Sequence, residues 1–414
     1  MAVNEAADRL GHRTAVGILS WCGGSLLAAV GVLLLMKPGL IDLDVYRVGG
    51  QKLVEGVPLY SGQMGGTWLP FTYTPFAAVL FVPLAVVPGP VASLIVVWAA
   101  IGALFRSTWL IVGATRSSAG DRRRTSLVAV WAVVTALALI AEPTTGTLDF
   151  GQVNTILLWL VVEDVLGSGR TARRSGGILT GLAAGIKLTP GIFLLMYLAV
   201  GAFRRFAIGV GALIATMAIG ALVQFDQARE FWTAVLWQDS RVGGVAYVSN
   251  QSLNGLLWRL LGPGGNRWLW LSASALVVVA AMWASRRAWT TQKLLALSAT
   301  ALAMLLVSPI SWSHHWVWSV PALVLLYSWW DRGIGARLVL GSGLVILLSH
   351  ALFLVPNGND LEYGHSLAES LVANSYVLWG IAALAYLVAC SARMRDDPAS
   401  LPSSAISQGR DEPS

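Results

Sequence analysis

The sequence predicts an all-α polytopic membrane protein, and its composition and its apolar runs both support this fold class. Of the 414 residues, 56% are hydrophobic and 12% are charged, whereas a typical soluble domain carries about 25% charged residues. The mean hydropathy is +0.67, and a single water-soluble core stops growing at about 250–300 residues. The composition therefore excludes a globular soluble enzyme, a disordered chain and a disulfide scaffold.

Apolar runs of membrane-spanning length recur along the chain. The first, 15–36, follows a polar cytoplasmic segment, 1–14, and has no small-residue cleavage site, so we interpret it as a span rather than a signal peptide. We expect about 12 spans in one transmembrane domain, 15–392, followed by a disordered cytoplasmic tail, 393–414. The remaining runs lie at about 90–113, 125–142, 153–166, 176–202, 206–224, 267–284, 293–309, 316–330, 338–355 and 370–392.

The loops between these runs are of two kinds, basic and polar-aromatic. Basic loops stay in the cytoplasm, which places both termini inside and the loops rich in Asp, His, Asn, Gln, Trp and Tyr outside. The net charge of +7 then reflects topology, and no nucleic-acid partner is expected. The basic loops carry Arg116 with Arg122, Arg123 and Arg124, Arg170 with Arg173 and Arg174, Arg204 and Arg205, Arg286 and Arg287, Arg332 with Arg337, and Arg393 with Arg395.

Two segments do not fit simple crossings. The run 75–88 is too short to span comfortably, so we expect a re-entrant or juxtamembrane helix on the outer side. The run 176–202 has arginines at both ends, so it must leave and return, with a break at Lys187-Leu-Thr-Pro190. Because broken helices at membrane depth line cavities or pack inside protein, Lys187 is expected to face a cavity.

The first outer loop contains two carboxylates at the end of a span. Residues 41–55 fit a short amphipathic helix on the membrane surface, and Asp42 and Asp44 are two positions apart on it, so they face different directions. At most one of them points into a given cavity. The alternative for either residue is a helix cap or a salt bridge to Arg47.

The other outer loops add amides, histidines and aromatic residues. Gln152 and Asn154 suit hydroxyl-rich ligands or cap a helix. Asn250 lies in an aromatic and amide-rich segment typical of sugar or phosphate recognition, or of an interfacial aromatic belt. His314 and His315 diverge by about 100° on a helix, so they suit a phosphate or a backbone hydrogen bond better than one shared metal. No metal-binding spacing occurs in the sequence.

The order of the polar motifs resembles glycosyltransferase family 87, the actinobacterial polyprenol-phosphate-mannose-dependent α-1,2-mannosyltransferases. The resemblance covers about residues 38–320 and continues weakly to the C-terminus. Its motifs, in order, are Asp42-Leu-Asp-Val-Tyr46-Arg-Val-Gly-Gly, Gly-Val-Pro-Leu-Tyr60, Leu69-Pro-Phe-Thr-Tyr73-Thr-Pro75-Phe, Phe150-Gly-Gln152-Val-Asn154, Ile186-Lys187-Leu-Thr-Pro190, Asn250-Gln-Ser-Leu-Asn254-Gly and Ser308-Pro-Ile-Ser-Trp-Ser-His314-His315-Trp-Val-Trp318.

This resemblance implies a GT-C fold in the plasma (inner) membrane with an extracytoplasmic active site and no metal or cofactor. The implied donor is polyprenol phosphate mannose, and the acceptor a phosphatidylinositol mannoside or a lipomannan or lipoarabinomannan. Asp42 is the implied catalytic base, with Asp44 in reserve, for an inverting single displacement. Lys187, Arg241, His314 and His315 are candidates for the donor phosphate. Candidates for the sugars and the acceptor are Tyr46, Tyr73, Gln152, Asn154, Asn250 and Trp312.

Two other functions fit parts of the pattern. One is a related transferase that moves another lipid-linked sugar, such as arabinose from its decaprenyl phosphate. The other is a lipid transporter or flippase without catalysis, although a transporter would more often carry ionisable groups at mid-span. Membrane lipids are expected partners in each case.

Overall fold

The computed structural model describes residues 2–62, 69–115, 124–168, 175–238, 243–264 and 266–394. Arg241, most of the arginines between 116 and 174, and the predicted tail from 395 onward lie outside these ranges. The described residues form helices α1 (Ala2–Leu35), α2 (Ile41–Glu55), α3 (Pro75–Val86), α4 (Gly89–Ala114), α5 (Arg124–Ile140), α6 (Glu142–Phe150), α7 (Asn154–Leu166), α8 (Ile178–Ile186), α9 (Ile192–Ala199), α10 (Phe203–Val223), α11 (Phe225–Thr233), α12 (Leu253–Leu261), α13 (Arg267–Ala288), α14 (Lys293–Val307), α15 (Val320–Ser328), α16 (Ile334–Leu348), α17 (Leu367–Ala373) and α18 (Ser375–Arg393).

Four of these helices are long and apolar enough to cross a membrane: α4, α10, α13 and α18. A fifth candidate is the pair formed by α5 and α6, which meet at a bend of 62°. The all-helical membrane architecture that the sequence predicts is therefore confirmed for the described residues. The count of about 12 spans stays a prediction. The helices α14 and α16, for example, have 15 residues each. Each is therefore about 22 Å long, which is shorter than the hydrocarbon core of a bilayer, about 30 Å.

The helix α14 lies in the interior of the helical bundle. Every residue from Leu294 to Leu306 is buried, so this helix is surrounded by protein on all sides. A helix that is apolar all round is expected in such a position. It contacts α13, α15 and α18.

The first loop folds into a pair of packed helices, α2 and α3. The predicted ranges 41–55 and 75–88 match these two helices closely. One face of α2 is buried, and the ring of Tyr46 stacks on Phe81 with centroids 4.3 Å apart. Arg47 donates hydrogen bonds to the carbonyl oxygens of Leu84 and Val87 at 3.1 and 3.0 Å. Arg47 thus satisfies carbonyls at the end of α3, rather than pairing with a neighbouring aspartate.

The break predicted at Lys187 is present. The helix α8 ends at Ile186, Lys187 is extended (φ −142°, ψ 127°), and the chain resumes helically at Thr189. Pro190 explains the position of the break, because proline cannot donate to the carbonyl four residues earlier and its ring clashes there. Lys187 therefore lies at the break, outside the regular hydrogen-bonding pattern of either helix.

The segment 142–150 differs from its predicted state. It was expected to be an outer loop, but it forms the helix α6, with Pro143 in its first turn, where a missing N–H costs nothing. The helix ends at Gly151, which has φ +69°. A Cβ atom on Gly151 would lie 3.0 Å from the Cβ of Leu43, so glycine is required both for the left-handed conformation and for the close contact with α2.

Candidate functional site

The carboxylate of the site lies in the first turn of α2. The start of this helix is held against the end of α6, because the N–H of Leu40 donates to the carbonyl oxygen of Asp149 at 2.7 Å. Asp42 is partly exposed next to the 150–154 segment, whereas Asp44 is exposed on another face of the helix. The structure therefore brings Asp42, and not Asp44, to the other site residues.

A triangle of polar groups lies behind Asp42. The hydroxyl oxygens of Tyr46 and Tyr73 are 2.8 Å apart, and both hydroxyls contact Oε1 of Gln152, at 3.0 and 2.9 Å. Since Oε1 accepts in this triangle, the amide NH₂ of Gln152 is free to donate to Asp42. Gln152 thus fixes the carboxylate, and the two buried tyrosines fix Gln152.

The surroundings of Asp42 raise its pKa. Desolvation raises the pKa of its carboxyl group from 3.8 to about 6, while the Gln152 hydrogen bond and the charge of Lys187 act in the opposite direction. The carboxylate is therefore mainly ionised at neutral pH but is a stronger base than a solvated aspartate. Burial also raises the pKa of Tyr46 and Tyr73, so both hydroxyls stay protonated.

The cation of the site is Lys187, at the break between α8 and α9. Its Nζ lies 3.0 Å from Nε2 of His315 and 3.4 Å from Oδ1 of Asn154, and it lies over the ring of Tyr73, 5.8 Å from the centroid. Thr74 fixes this arrangement from the first loop, since its hydroxyl donates to the carbonyl oxygen of Gly185 at 2.5 Å.

The two contacts of Lys187 leave its charge available to a ligand. An ammonium group has three N–H donors, and its two hydrogen-bond acceptors in the described part of the chain are both neutral groups. No carboxylate among the described residues forms a salt bridge with Lys187. A partly buried ammonium with no carboxylate at salt-bridge distance favours an anionic ligand.

The two histidines lie on the 3₁₀ helix Ser313–Ser319, which follows α14. Because an ammonium can only donate, His315 accepts at Nε2 and is neutral, with its proton on Nδ1. His314 is buried, its ring packs against Phe150 and against His315, and neither of its ring nitrogens has a hydrogen-bond partner among the described residues. The carbonyl oxygen of His314 accepts from Thr147 and Asn154, at 2.9 and 3.3 Å.

Two candidates from the sequence have other contacts in the structure, and a third cannot be placed. Asn250 is fully buried. Its amide NH₂ donates to the carbonyl oxygen of Val245 at 2.8 Å, and its Oδ1 accepts from the N–H of Ser311 at 2.9 Å. Both ends of the amide are therefore occupied by backbone groups and are not free to bind a sugar. Trp312 forms a β-bridge with Asn250 and packs edge-on against Tyr247. Arg241 lies outside the described residues.

A buried carboxylate that the sequence did not indicate, Glu142, lies next to the histidine segment. Its two oxygens accept from the hydroxyls of Ser313 and Tyr376, at 2.8 and 2.7 Å. This cluster ties α6 to the segment that carries His314 and His315. Composition alone gave no signal for it, because the segment was expected to be an exposed loop. Among the described residues, no three His, Cys, Asp or Glu side chains are grouped as metal ligands.

Comparison with known proteins identifies the family of the chain and several relatives. Residues 71–309 match the family model of glycosyltransferase family 87. The chain is 34% identical to the polyprenol-phosphate-mannose-dependent alpha-(1-2)-phosphatidylinositol mannoside mannosyltransferase of Mycolicibacterium smegmatis, over 90% of this chain and 87% of that protein. It is 31% identical to the protein of the same name from Mycobacterium tuberculosis, over 92% of each chain. A M. tuberculosis protein described as the pentamannoside mannosyltransferase is 36% identical over 74% of this chain and 70% of its own length.

Proposed function

The chain belongs to glycosyltransferase family 87, and we propose from this premise that it transfers mannose from polyprenol phosphate mannose, in α-1,2 linkage, to a phosphatidylinositol mannoside. The relatives in the mycobacteria carry this activity in their names. The observation in this chain that supports it most directly is the presence of one base, Asp42, and one partly buried cation, Lys187, within electrostatic range of each other. An inverting transfer from a sugar phosphate requires these two groups.

The architecture that accompanies this proposal is a GT-C fold with about 12 spans. We place the site at the extracytoplasmic face of the plasma membrane, because the basic loops belong to the cytoplasm under the positive-inside rule. The first loop, which carries α2 and α3, then lies on the outer side together with the 3₁₀ helix of the histidines. This orientation gives a lipid-linked donor access to Lys187 from the bilayer.

In the proposed mechanism Asp42 acts as the general base. Its carboxylate takes the proton from the 2-hydroxyl of the acceptor mannose while the hydroxyl oxygen attacks the anomeric carbon of the donor. The bond from the anomeric carbon to the phosphate oxygen breaks, and polyprenyl phosphate leaves with the bonding electron pair. One displacement converts the β-linked donor into an α-linked product, and no group of the enzyme becomes covalently attached.

Lys187 holds the departing phosphate in this scheme. Charge develops on the phosphate oxygen as the bond breaks, and an ammonium in a desolvated site stabilises that charge strongly. Asn154 and His315 orient the ammonium through neutral acceptors, so its direct hydrogen-bond partners leave its charge to act on the phosphate. Arg241 is a second proposed phosphate ligand, on its capacity for bidentate contacts.

The test is transfer of radiolabelled mannose by the purified protein. Polyprenol phosphate mannose is the donor, and phosphatidylinositol tetramannoside, the pentamannoside and an α-1,6-linked mannoside are offered in parallel, with EDTA present. We expect an α-1,2-linked product on a phosphatidylinositol mannoside and none with Asp42→Ala. Absence of product on every acceptor, with folded protein, would contradict the proposal, and a competing decaprenyl phosphate arabinose would then identify another donor.

A further inference from the structure

The helix α6 contacts both parts of the candidate site. At its C-terminal end, the carbonyl oxygen of Asp149 accepts from the N–H of Leu40, directly before α2. At its other end, Glu142 contacts the 3₁₀ helix of the histidines. The helix α2 carries the candidate base, and the 3₁₀ helix carries an acceptor for the candidate cation. The nine residues of α6 therefore connect the two parts of the site.

Three contacts attach α6 to the 3₁₀ helix. Oε1 of Glu142 accepts from the hydroxyl of Ser313 at 2.8 Å, and the hydroxyl of Thr147 donates to the carbonyl oxygen of His314 at 2.9 Å. Between these two bonds, a Cβ atom on Gly146 would lie 3.3 Å from the Cβ of His314. The backbone of α6 thus lies against His314, with a hydrogen bond on either side of the contact.

The first of these contacts depends on a buried carboxyl group. Glu142 is only 4% exposed, and its second oxygen, Oε2, accepts from the hydroxyl of Tyr376 on α18 at 2.7 Å. The hydroxyl of Ser313 also lies 3.0 Å from that of Ser249. Because a buried polar group that loses its partner is costly, removal of Glu142 would leave these hydroxyls unpaired. No step of the proposed mechanism uses this carboxyl group.

We propose that Glu142 is a positioning residue for mannosyl transfer and acts through Ser313. This inference rests on the proposed function. Two residues after Ser313, His315 accepts from Lys187 at 3.0 Å. A shift of the 3₁₀ helix relative to α6 therefore moves this acceptor, and with it the cation, relative to Asp42. A displacement of about 1 Å in an active site can lower a rate about 100-fold, so the attachment to α6 sets the rate of transfer.

The kinetic test removes either side of this contact. Glu142→Leu removes both acceptor oxygens, Ser313→Ala removes the donor, and Glu142→Gln keeps one acceptor oxygen. We expect the first two variants to lower kcat about 10- to 100-fold per folded protein, with both KM values unchanged, as for an interaction that matters only in the transition state. Glu142→Gln should recover most of the lost rate.

The matched control is Ser285→Ala. Ser285 is fully buried, and its hydroxyl donates to the carbonyl oxygen of Ala296, between α13 and α14, at 3.2 Å. This variant loses a buried serine hydroxyl away from α6, so it should keep the wild-type kcat per folded protein. Wild-type kcat in folded Ser313→Ala, or an equal loss of kcat in the two serine variants, would overturn the proposal.

NMR of the histidine rings tests the same contact without catalysis. The chain has five histidines, and His315 is neutral with its proton on Nδ1. The protein is labelled with [15N]histidine, and His315→Gln assigns the signals of this ring. We expect Ser313→Ala and Glu142→Leu to shift the ring-nitrogen signals of His315, and Ser285→Ala to leave them unchanged.

The NMR result also separates this proposal from the proposed function. Unchanged His315 signals in folded Ser313→Ala would overturn the positioning role, whatever the rates. Absence of mannose transfer by the wild-type protein, together with shifted His315 signals in the variants, would contradict the proposed function and leave the attachment through Glu142 supported. If Glu142→Leu does not fold, Ser313→Ala and Glu142→Gln give the same comparison.

Discussion

The dependence of activity on pH follows from the position of Asp42. Desolvation places the pKa of this carboxyl group at about 6, and only the ionised form can accept a proton from the acceptor hydroxyl. For a pKa of about 6 the ionised fraction is about 9% at pH 5 and about 91% at pH 7. We therefore expect kcat/KM to rise about tenfold between these two pH values.

The assay is the initial rate of mannose transfer at limiting acceptor, from pH 5 to pH 8 at constant ionic strength. Asp42→Asn is the control, because its residual rate should not change over this pH range. A flat wild-type profile between pH 5 and pH 7, or an inflection near pH 4, would contradict a base with a raised pKa at Asp42. The first result would show that no base titrates here, and the second that Asp42 is as well solvated as a surface aspartate.

Three further predictions concern the cation and the first loop. Lys187→Met should lower kcat/KM about 10- to 150-fold, the value of a charge-assisted hydrogen bond, as measured by steady-state transfer kinetics. His315→Gln, which keeps an acceptor for Lys187, should retain more activity than His315→Leu in the same assay. Gly50→Ala should lower the free energy of unfolding by about 1–3 kcal/mol, measured by denaturation in detergent, because its Cβ would lie 2.8 Å from the backbone of Phe81.

Each of these predictions has an outcome that contradicts it. Wild-type kinetics for Lys187→Met would remove Lys187 from the phosphate site. Equal rates for the two His315 variants would show that the acceptor at this position does not matter. Gly113→Ala is the control for the glycine, since its added Cβ has no heavy atom within 4 Å, and equal stability of the two glycine variants would contradict the close contact between α2 and α3.

The sequence predicted the parts of the fold that depend on local patterns. The break at Lys187 follows from Pro190, and the short helices of the first loop follow from the lengths of their apolar and amphipathic runs. Lys187 was likewise singled out by its position at the break and Asp42 by its place in a motif of the family that the chain resembles, and the roles of both stay predictions. Each of these features depends on a few neighbouring residues, so the sequence predicts it without knowledge of the tertiary structure.

The remaining features depend on contacts between distant segments. Gln152 and Tyr73 were expected to bind sugar, but they form the hydrogen-bonded support behind Asp42 across 79 residues of sequence. Asn250 resembled a ligand-binding amide, yet its partners are backbone groups up to 61 residues away. Glu142 was missed because its hydroxyl partners, Ser313 and Tyr376, are brought to it only by packing.

The most direct test of the role of Asp42 compares two aspartates of one helix turn. Asp42→Asn and Asp44→Asn make the same small change, on a partly buried residue in the site and on an exposed one. We expect Asp42→Asn to lower mannose transfer about 100- to 10,000-fold, the usual contribution of a general base, while Asp44→Asn stays close to the wild-type rate. Wild-type transfer by folded Asp42→Asn, or a comparable loss with Asp44→Asn alone, would contradict this role.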